Sequence, residues 1–275
     1  MIQAGSSPTG LQSLPPGERS LVQALLSQLS AGLKRILREQ IVGIYLYGSI
    51  VTGDFDIEIS DIDLVVVLRQ ELDEERFTAL QRFHAAVVGE NPAWEDRLEL
   101  AYISAAGLRT FQERSSTIGI ISPGEPFHLV QAGADWLISW YALRESGMAL
   151  LGPAIETLID RLPLEAWLQA VREHICAYRQ SVATARDKPF LSYIVLTVAR
   201  GLYTLEHRRA PSKIQAAQWL RTTYPRWAEL IKRALLYRKD PEADNVTVKE
   251  LRPAVEAYLA DMLSDEVCGE SETRA

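Results

Sequence analysis

Two acids separated by one hydrophobic residue, Asp61-Ile62-Asp63, open the apolar run Leu64-Val65-Val66-Val67. A Gly48-Ser49 pair ends an earlier apolar run from Ile41 to Tyr47. On a strand, residues two apart share a face and stand about 7 Å from one another, so Asp61 and Asp63 converge at the mouth of an otherwise apolar sheet. Two carboxylates held there repel each other, and one or two divalent cations remove that repulsion. Oxygen ligands of this kind suit magnesium, which takes a few carboxylates and completes its shell with substrate phosphates and water. The glycine turn fits the same chemistry: without a Cβ it lets phosphate oxygens approach backbone N–H groups, and the Ser49 hydroxyl adds a donor. The pattern therefore points to displacement at phosphorus in a metal-bound polyphosphate. Each half alone has a plainer meaning, a turn for Gly-Ser and a solvated pair for Asp-x-Asp; what argues against that is their joint occurrence, with Ser60-Asp61 beginning eleven residues beyond Ser49.

These residues need elements to position them. Apolar residues at helical spacing (Leu21, Leu25, Leu29, Leu33, Ile36, Leu37) predict an amphipathic helix over 18–39. Strands are expected over Ile41 to Tyr47, Asp61 to Leu68 and Arg97 to Ile103, with a helix over Asp73 to Val88 between the last two. Strand-like patches at Ile118 to Ile121 and Phe127 to Val130 flank Pro123-Gly124, and a helix is expected over Asp135 to Ser146. Past Gly152-Pro153 the character changes. Leu164 to Ala185, Phe190 to His207, Ser212 to Thr222, Trp227 to Tyr237 and Val248 to Met262 all suit helices, and a boundary is placed near Asp160.

With 275 residues, 47% hydrophobic and 24% charged, the chain can bury a sizeable core. The net charge of −7 argues against nucleic acid as a stable partner, because neutralising phosphates takes a basic footprint. That charge is uneven: residues 1–160 carry −10 and residues 161–261 carry +6, so an acidic half could hold metals and a basic half phosphates. Cys176 and Cys268 lie far apart in no metal-ligand spacing, so neither a disulfide nor a zinc site is expected, in keeping with a reducing cytoplasm. Met1 to Gly17, rich in Ser, Pro and Gly, is expected to be a flexible lead-in, and Ser264 to Ala275 a frayed polar end. No apolar run is long enough for a membrane span, and a monomer is the favoured state. The four histidines show no metal spacing and are assigned no chemistry.

Leu46-Tyr47-Gly48-Ser49, a spacer, and then Ser60-Asp61-Ile62-Asp63-Leu64-Val65-Val66 resembles the signature of the nucleotidyltransferase superfamily. Within it the segment is similar to the aminoglycoside adenylyltransferases that modify spectinomycin and streptomycin. The likeness extends from about Gly43 to Tyr237, through Leu151-Gly152-Pro153, Tyr193 to Arg200 and Ser212 to Trp219. It implies an α/β (α+β) nucleotidyltransferase domain with a small mixed sheet over 1–160, an all-helical C-terminal domain over 161–275, and an active site in the cleft between them. The implied reaction moves AMP from ATP, with Mg2+, to a hydroxyl of a small cationic acceptor and releases pyrophosphate.

By the same resemblance Asp61 and Asp63 hold the metals and Glu99, in Arg97 to Ile103, is the third acid, beside the metals and acting as general base, with Glu95 and Asp96 as competitors if the register differs. Gly48, Ser49 and Ser60 fall on the phosphate side, and Arg200 and Lys213 bind the triphosphate. Acids near the cleft (Asp54, Asp56, Glu58, Glu95, Asp96) could neutralise a cationic acceptor. One departure bears on substrate. Streptomycin-modifying relatives carry an aspartate ten residues before the arginine, where this chain has Phe190, with Asp187 as a substitute nearby. Two other readings stay open: adenylylation of a protein or RNA, and a catalytically silent nucleotide-binding module.

Overall fold

A computed structural model describes residues 9–269. The chain divides into two compact units, Met1–Leu162 and Pro163–Ala275. Those parts of the expected lead-in and frayed end that fall in residues 1–8 and 270–275 lie outside the described residues.

The first unit is built on a six-stranded sheet. Its elements run α1 (Thr9–Ser13), α2 (Pro16–Leu37), β1 (Ile41–Leu46), α3 (Ser49–Thr52), β2 (Ile62–Leu68), α4 (Glu74–Glu90), β3 (Leu98–Ser104), α5 (Ala105–Thr110), β4 (Ser116–Ser122), β5 (Glu125–Ala132), α6 (Leu137–Ser146) and β6 (Met148–Leu151). The strand order is β5-β4-β3-β2-β1-β6; β2 and β3 run parallel and the other neighbours antiparallel, which makes the sheet mixed. A parallel pair needs a crossover, and α4 supplies it. Its start is fixed by Asp73, whose side chain accepts the Arg76 amide.

Strand alternation divides the sheet into two faces. Ile62, Leu64, Val66 and Leu68 of β2, with Leu98, Leu100 and Tyr102 of β3, join the apolar stripes of α2 and α4 in one core. The intervening residues, Asp63, Val65 and Val67 of β2 and Glu99, Ala101 and Ile103 of β3, face the other way, where α5 lies against both strands.

Two expectations about this unit are corrected. Residues 9–17 are not a flexible lead-in: Leu11 and Leu14 are buried, and Gly10 lies so close to the Ile50 carbonyl that a Cβ would come within 2.0 Å of it. The second is an omission, β6, which the sequence reading lacks. Met-Ala-Leu-Leu favours helix by propensity, but pairing with the edge of β1 (Tyr45 opposite Ala149, Leu46 opposite Met148) overrides it.

The second unit comprises α7 (Leu164–Ser181), α8 (Lys188–His207), α9 (Lys213–Thr223), α10 (Ala228–Lys239), α11 (Val248–Met262) and α12 (Asp265–Cys268). The central helix is α8, against which α7, α9, α10 and α11 all pack. Its buried residues, among them Leu191, Ile194, Val195 and Val198, make it apolar nearly all round, as an enclosed helix must be.

The expectation of unpaired cysteines is overturned. Cys176 of α7 and Cys268 of α12 form a disulfide with their Cα atoms 5.8 Å apart, so residues 92 positions apart in sequence are joined where two helices meet. Part of the tail expected to fray is thereby the helix α12, tied to α7 a second time by an Arg179–Asp265 ion pair. Among the described residues no helix is long and apolar enough to cross a membrane.

Candidate active site

Register assembles the acidic group. Asp63 stands directly opposite Glu99 in the parallel β2–β3 pair, so both carboxylates leave the same face of the sheet, the one turned away from α2 and α4. Asp61 precedes β2 by one residue. Glu95 and Asp96 fall in the turn before β3, where Asp96 adopts φ 54° and accepts the Gly124 amide, so neither occupies the position opposite Asp63.

The Gly48-Ser49 turn abuts this group. Gly48 has φ 71°, a conformation L side chains rarely adopt, and a Cβ there would come within 2.0 Å of Asp63 Oδ2. Both facts call for glycine, and the second places the turn against the aspartate. Ser49 begins α3, in which the Val51 and Thr52 amides return to the Gly48 carbonyl.

The loop that delivers Asp61 is held from inside. Ser60, expected on the phosphate side, is only 2% exposed, and its Oγ accepts the Asp56 amide at 3.0 Å, a contact that shapes the loop. Arg97 completes the brace, donating to the carbonyls of Ile57 (2.7 Å), Ser60 (2.6 Å) and Ala93 (3.2 Å) and lying over the Trp94 ring. Burial lowers the Arg97 pKa, while Asp61 and Asp56 oppose that shift by favouring its charge. Arg97 entered the sequence reading only as a strand start; the signal available was an arginine two residues before the candidate base.

Tyr47 is a second residue the sequence reading passed over. Its amide bonds to the Asp63 carbonyl at 3.1 Å, and its hydroxyl donates to Glu99 Oε1 at 3.4 Å. Burial raises the phenol pKa well above its usual value, and the charges of Glu99 and Asp63 raise it further.

The two expected cations belong to the helical unit. Arg200 lies near the middle of α8 and Lys213 is the first residue of α9, after the cap Ser212, whose side chain accepts the Gln215 amide. His174 of α7 has a lowered pKa, chiefly through burial and further through the positive charge of Arg200. Asp187, the possible stand-in for the missing aspartate, caps α8 by accepting the Phe190 amide at 2.7 Å. Phe190 is 37% exposed and stacks on Tyr193, 45% exposed, with ring centroids 6.3 Å apart.

Among the described residues no three His, Cys, Asp or Glu side chains stand together at metal-binding spacing. The fit of a metal therefore rests on donor chemistry. Asp63 and Glu99, side by side in register, and Asp61 two residues upstream offer only carboxylate oxygens, the donor type that magnesium takes.

A glycine turn set against an acid on a central strand, with a second acid in register on the parallel neighbour, marks the first unit as a nucleotidyltransferase domain, and residues 26–106 match the family described as "Nucleotidyltransferase domain". Residues 157–265 match "Aminoglycoside adenylyltransferase, C-terminal domain". With both matches in one chain, it belongs to the aminoglycoside (spectinomycin/streptomycin) adenylyltransferase-like family of the nucleotidyltransferase superfamily and is an adenylyltransferase. It is 27% identical to an aminoglycoside (3'') (9) adenylyltransferase of Klebsiella pneumoniae over 219 residues, 74% of this chain and 80% of the relative. It is 25% identical to a spectinomycin 9-adenylyltransferase of Campylobacter jejuni over 204 residues, 71% and 76% of the two chains. Its fold matches a crystal structure of spectinomycin adenyltransferase from Enterococcus faecialis with ATP and spectinomycin, at TM-score 0.67 and 18% identity, covering 88% of this chain and 98% of that one.

Proposed function

We propose that the protein transfers AMP from ATP to a hydroxyl of an aminoglycoside- or spectinomycin-like antibiotic and releases pyrophosphate. The observation that carries this reading is the in-register pair Asp63–Glu99 with the Gly48 turn packed against Asp63. The substrate class is supported by the relatives, which carry aminoglycoside and spectinomycin adenylyltransferase names. Streptomycin is the less favoured acceptor, because Phe190 holds the place of the aspartate and Asp187 is engaged as a helix cap. ATP as co-substrate implies a cytoplasmic enzyme.

In the reaction, Glu99 takes the proton of the acceptor hydroxyl as its oxygen attacks the α-phosphorus of ATP, and the bond to the pyrophosphate leaving group breaks. Asp61 and Asp63, with Glu99 beside them, would hold Mg2+, which when bound supplies charge neutralisation of the phosphates and lowers the barrier to displacement. Gly48 and Ser49 present donors to phosphate oxygens, while Arg200 and Lys213 offset the charge of the triphosphate. Ser60 and Arg97 keep the Asp61 loop in shape.

Replacing Asp61 and Asp63 singly by Asn preserves size and removes charge. Each variant is expected to lose ATP- and acceptor-dependent pyrophosphate release by at least about 100-fold, the scale of removing a preorganised electrostatic contact. Pyrophosphate release near the wild-type rate in Asp63→Asn would overturn the reading.

A further inference from the structure

We infer that Tyr47 is a positioning residue for the general base: its hydroxyl fixes the rotamer of the Glu99 carboxylate and acts on turnover through Glu99 alone. The inference deepens the reading of Glu99 given above and rests on it. Strand order makes the contact possible. Tyr45 pairs with Val65, so Tyr45, and Tyr47 two residues later, project to the same face as Val65, Asp63 and Glu99. β1 and β3 flank β2, so a residue at the end of β1 reaches Glu99 only with a side chain long enough to pass the strand that carries Asp63. A tyrosine has that length, and its hydroxyl arrives 3.4 Å from Glu99 Oε1.

The base of the ring is held as firmly as its tip. The Tyr47 amide is hydrogen-bonded to the Asp63 carbonyl, and the next residue is the glycine pressed against the Asp63 carboxylate. Backbone and side chain of one residue therefore connect the phosphate-side turn, the middle strand and the base. A glutamate has three side-chain torsions to fix before its oxygen can meet an acceptor hydroxyl, and a donor on one oxygen restricts them.

Tyr47→Phe removes only the hydroxyl. It is expected to lower kcat about 10- to 100-fold, the range typical of groups that orient a ligating or catalytic side chain, with acceptor KM and equilibrium binding of ATP measured without acceptor both unchanged. The decisive arm is the same substitution made in Glu99→Gln. With no carboxylate left to orient, Tyr47→Phe should cause no further loss there, whereas a general folding defect would lower both backgrounds by one factor. A kcat equal to wild type in Tyr47→Phe, an effect confined to KM, or the same loss in both backgrounds would overturn the inference. Wild-type turnover in Glu99→Gln alone would instead sink the underlying assignment of the base, so the two failures are told apart.

Discussion

The two units hold their candidate functional groups by different means. In the sheet unit, Asp63 and Glu99 come from β2 and β3 and Tyr47 from the residue that follows β1, and they meet only because the three strands lie side by side. In the helical unit, Arg200 and Lys213 are fixed by the frames of single helices, α8 and α9, whose starts are set by the local caps Asp187 and Ser212, while a disulfide ties α12 back to α7. Long-range register places groups finely but depends on the whole sheet being formed. Local caps and a covalent tie place groups coarsely but survive piecemeal. The difference predicts that each unit can be weakened without the other.

The largest expected effect is on the helical unit. The Cys176–Cys268 bond closes a loop spanning nearly all of it, and the chain-entropy relation for a separation of 92 residues gives about 4–5 kcal/mol. Reduction, or Cys176→Ser with Cys268→Ser, should lower the melting transition of the helical unit by roughly 10–20 °C and leave that of the sheet unit in place. Calorimetry with and without a thiol reductant reads this directly. Loss of both transitions together would break the comparison, and two titratable thiols in the untreated, air-oxidised protein would remove its basis. In a reducing compartment the pair stands as thiols, and the stability that counts there is that of the reduced chain.

The sheet unit is vulnerable to acid instead. His84 of α4 is 2% exposed; its Nε2 meets the Tyr102 hydroxyl at 2.8 Å, and its Nδ1 is buried without a hydrogen-bond partner. Phe83, Phe127 and Tyr102 surround the ring, and burial lowers its pKa from 6.5 to about 4. Between those values the unfolded chain binds a proton that the folded one does not. The contribution is therefore complete above pH 6.5 and lost as pH falls to 4, about 3 kcal/mol in all. Denaturant titrations at pH 7 and pH 4.5 measure the slope. His84→Gln, which keeps a polar partner for Tyr102, should flatten it. His174 in the helical unit shifts in the same direction, so a slope unchanged in His84→Gln would assign the effect to His174 or to carboxylates and defeat the prediction.

What the sequence discloses follows the same division. The Asp-x-Asp strand, the Gly-Ser turn and the helical run after residue 163 are local patterns, and they sufficed for an α/β domain followed by a helical one, the mixed sheet coming from the family resemblance. Glu99 was placed on a strand by the alternation of 97–103, but its neighbour across β2 could not be read, because Tyr47 meets it only through strand order. Alternation with Tyr45 could have put Tyr47 on the face of the acids, and the reading stopped at the glycine. Ser60 falls on the phosphate side by resemblance alone, and nothing local in the sequence discloses that it is buried and that its Oγ accepts the Asp56 amide. β6 and the cysteine pair were invisible for one reason: a four-residue edge strand and two cysteines 92 positions apart acquire meaning only from what they pack against.

The smallest effect sharpens the contrast most. Thr247 and Glu250 form a reciprocal cap at the start of α11: the Thr247 Oγ1 accepts the Glu250 amide at 3.3 Å, and Glu250 Oε2 accepts the Thr247 amide at 2.8 Å. α11 carries Val255, Tyr258 and Leu259 into the bundle core, so fraying at its start reaches buried contacts within two turns. Thr247→Ala removes the hydroxyl and leaves the first-turn donors to water, at about 1 kcal/mol. If local caps govern this unit, that loss appears wholly in the helical transition and persists unchanged after the disulfide is reduced, since a cap acts on its own helix and not on the closed loop. Should the loss vanish on reduction, α11 owes its start to the covalent tie, and the bundle is held as globally as the sheet.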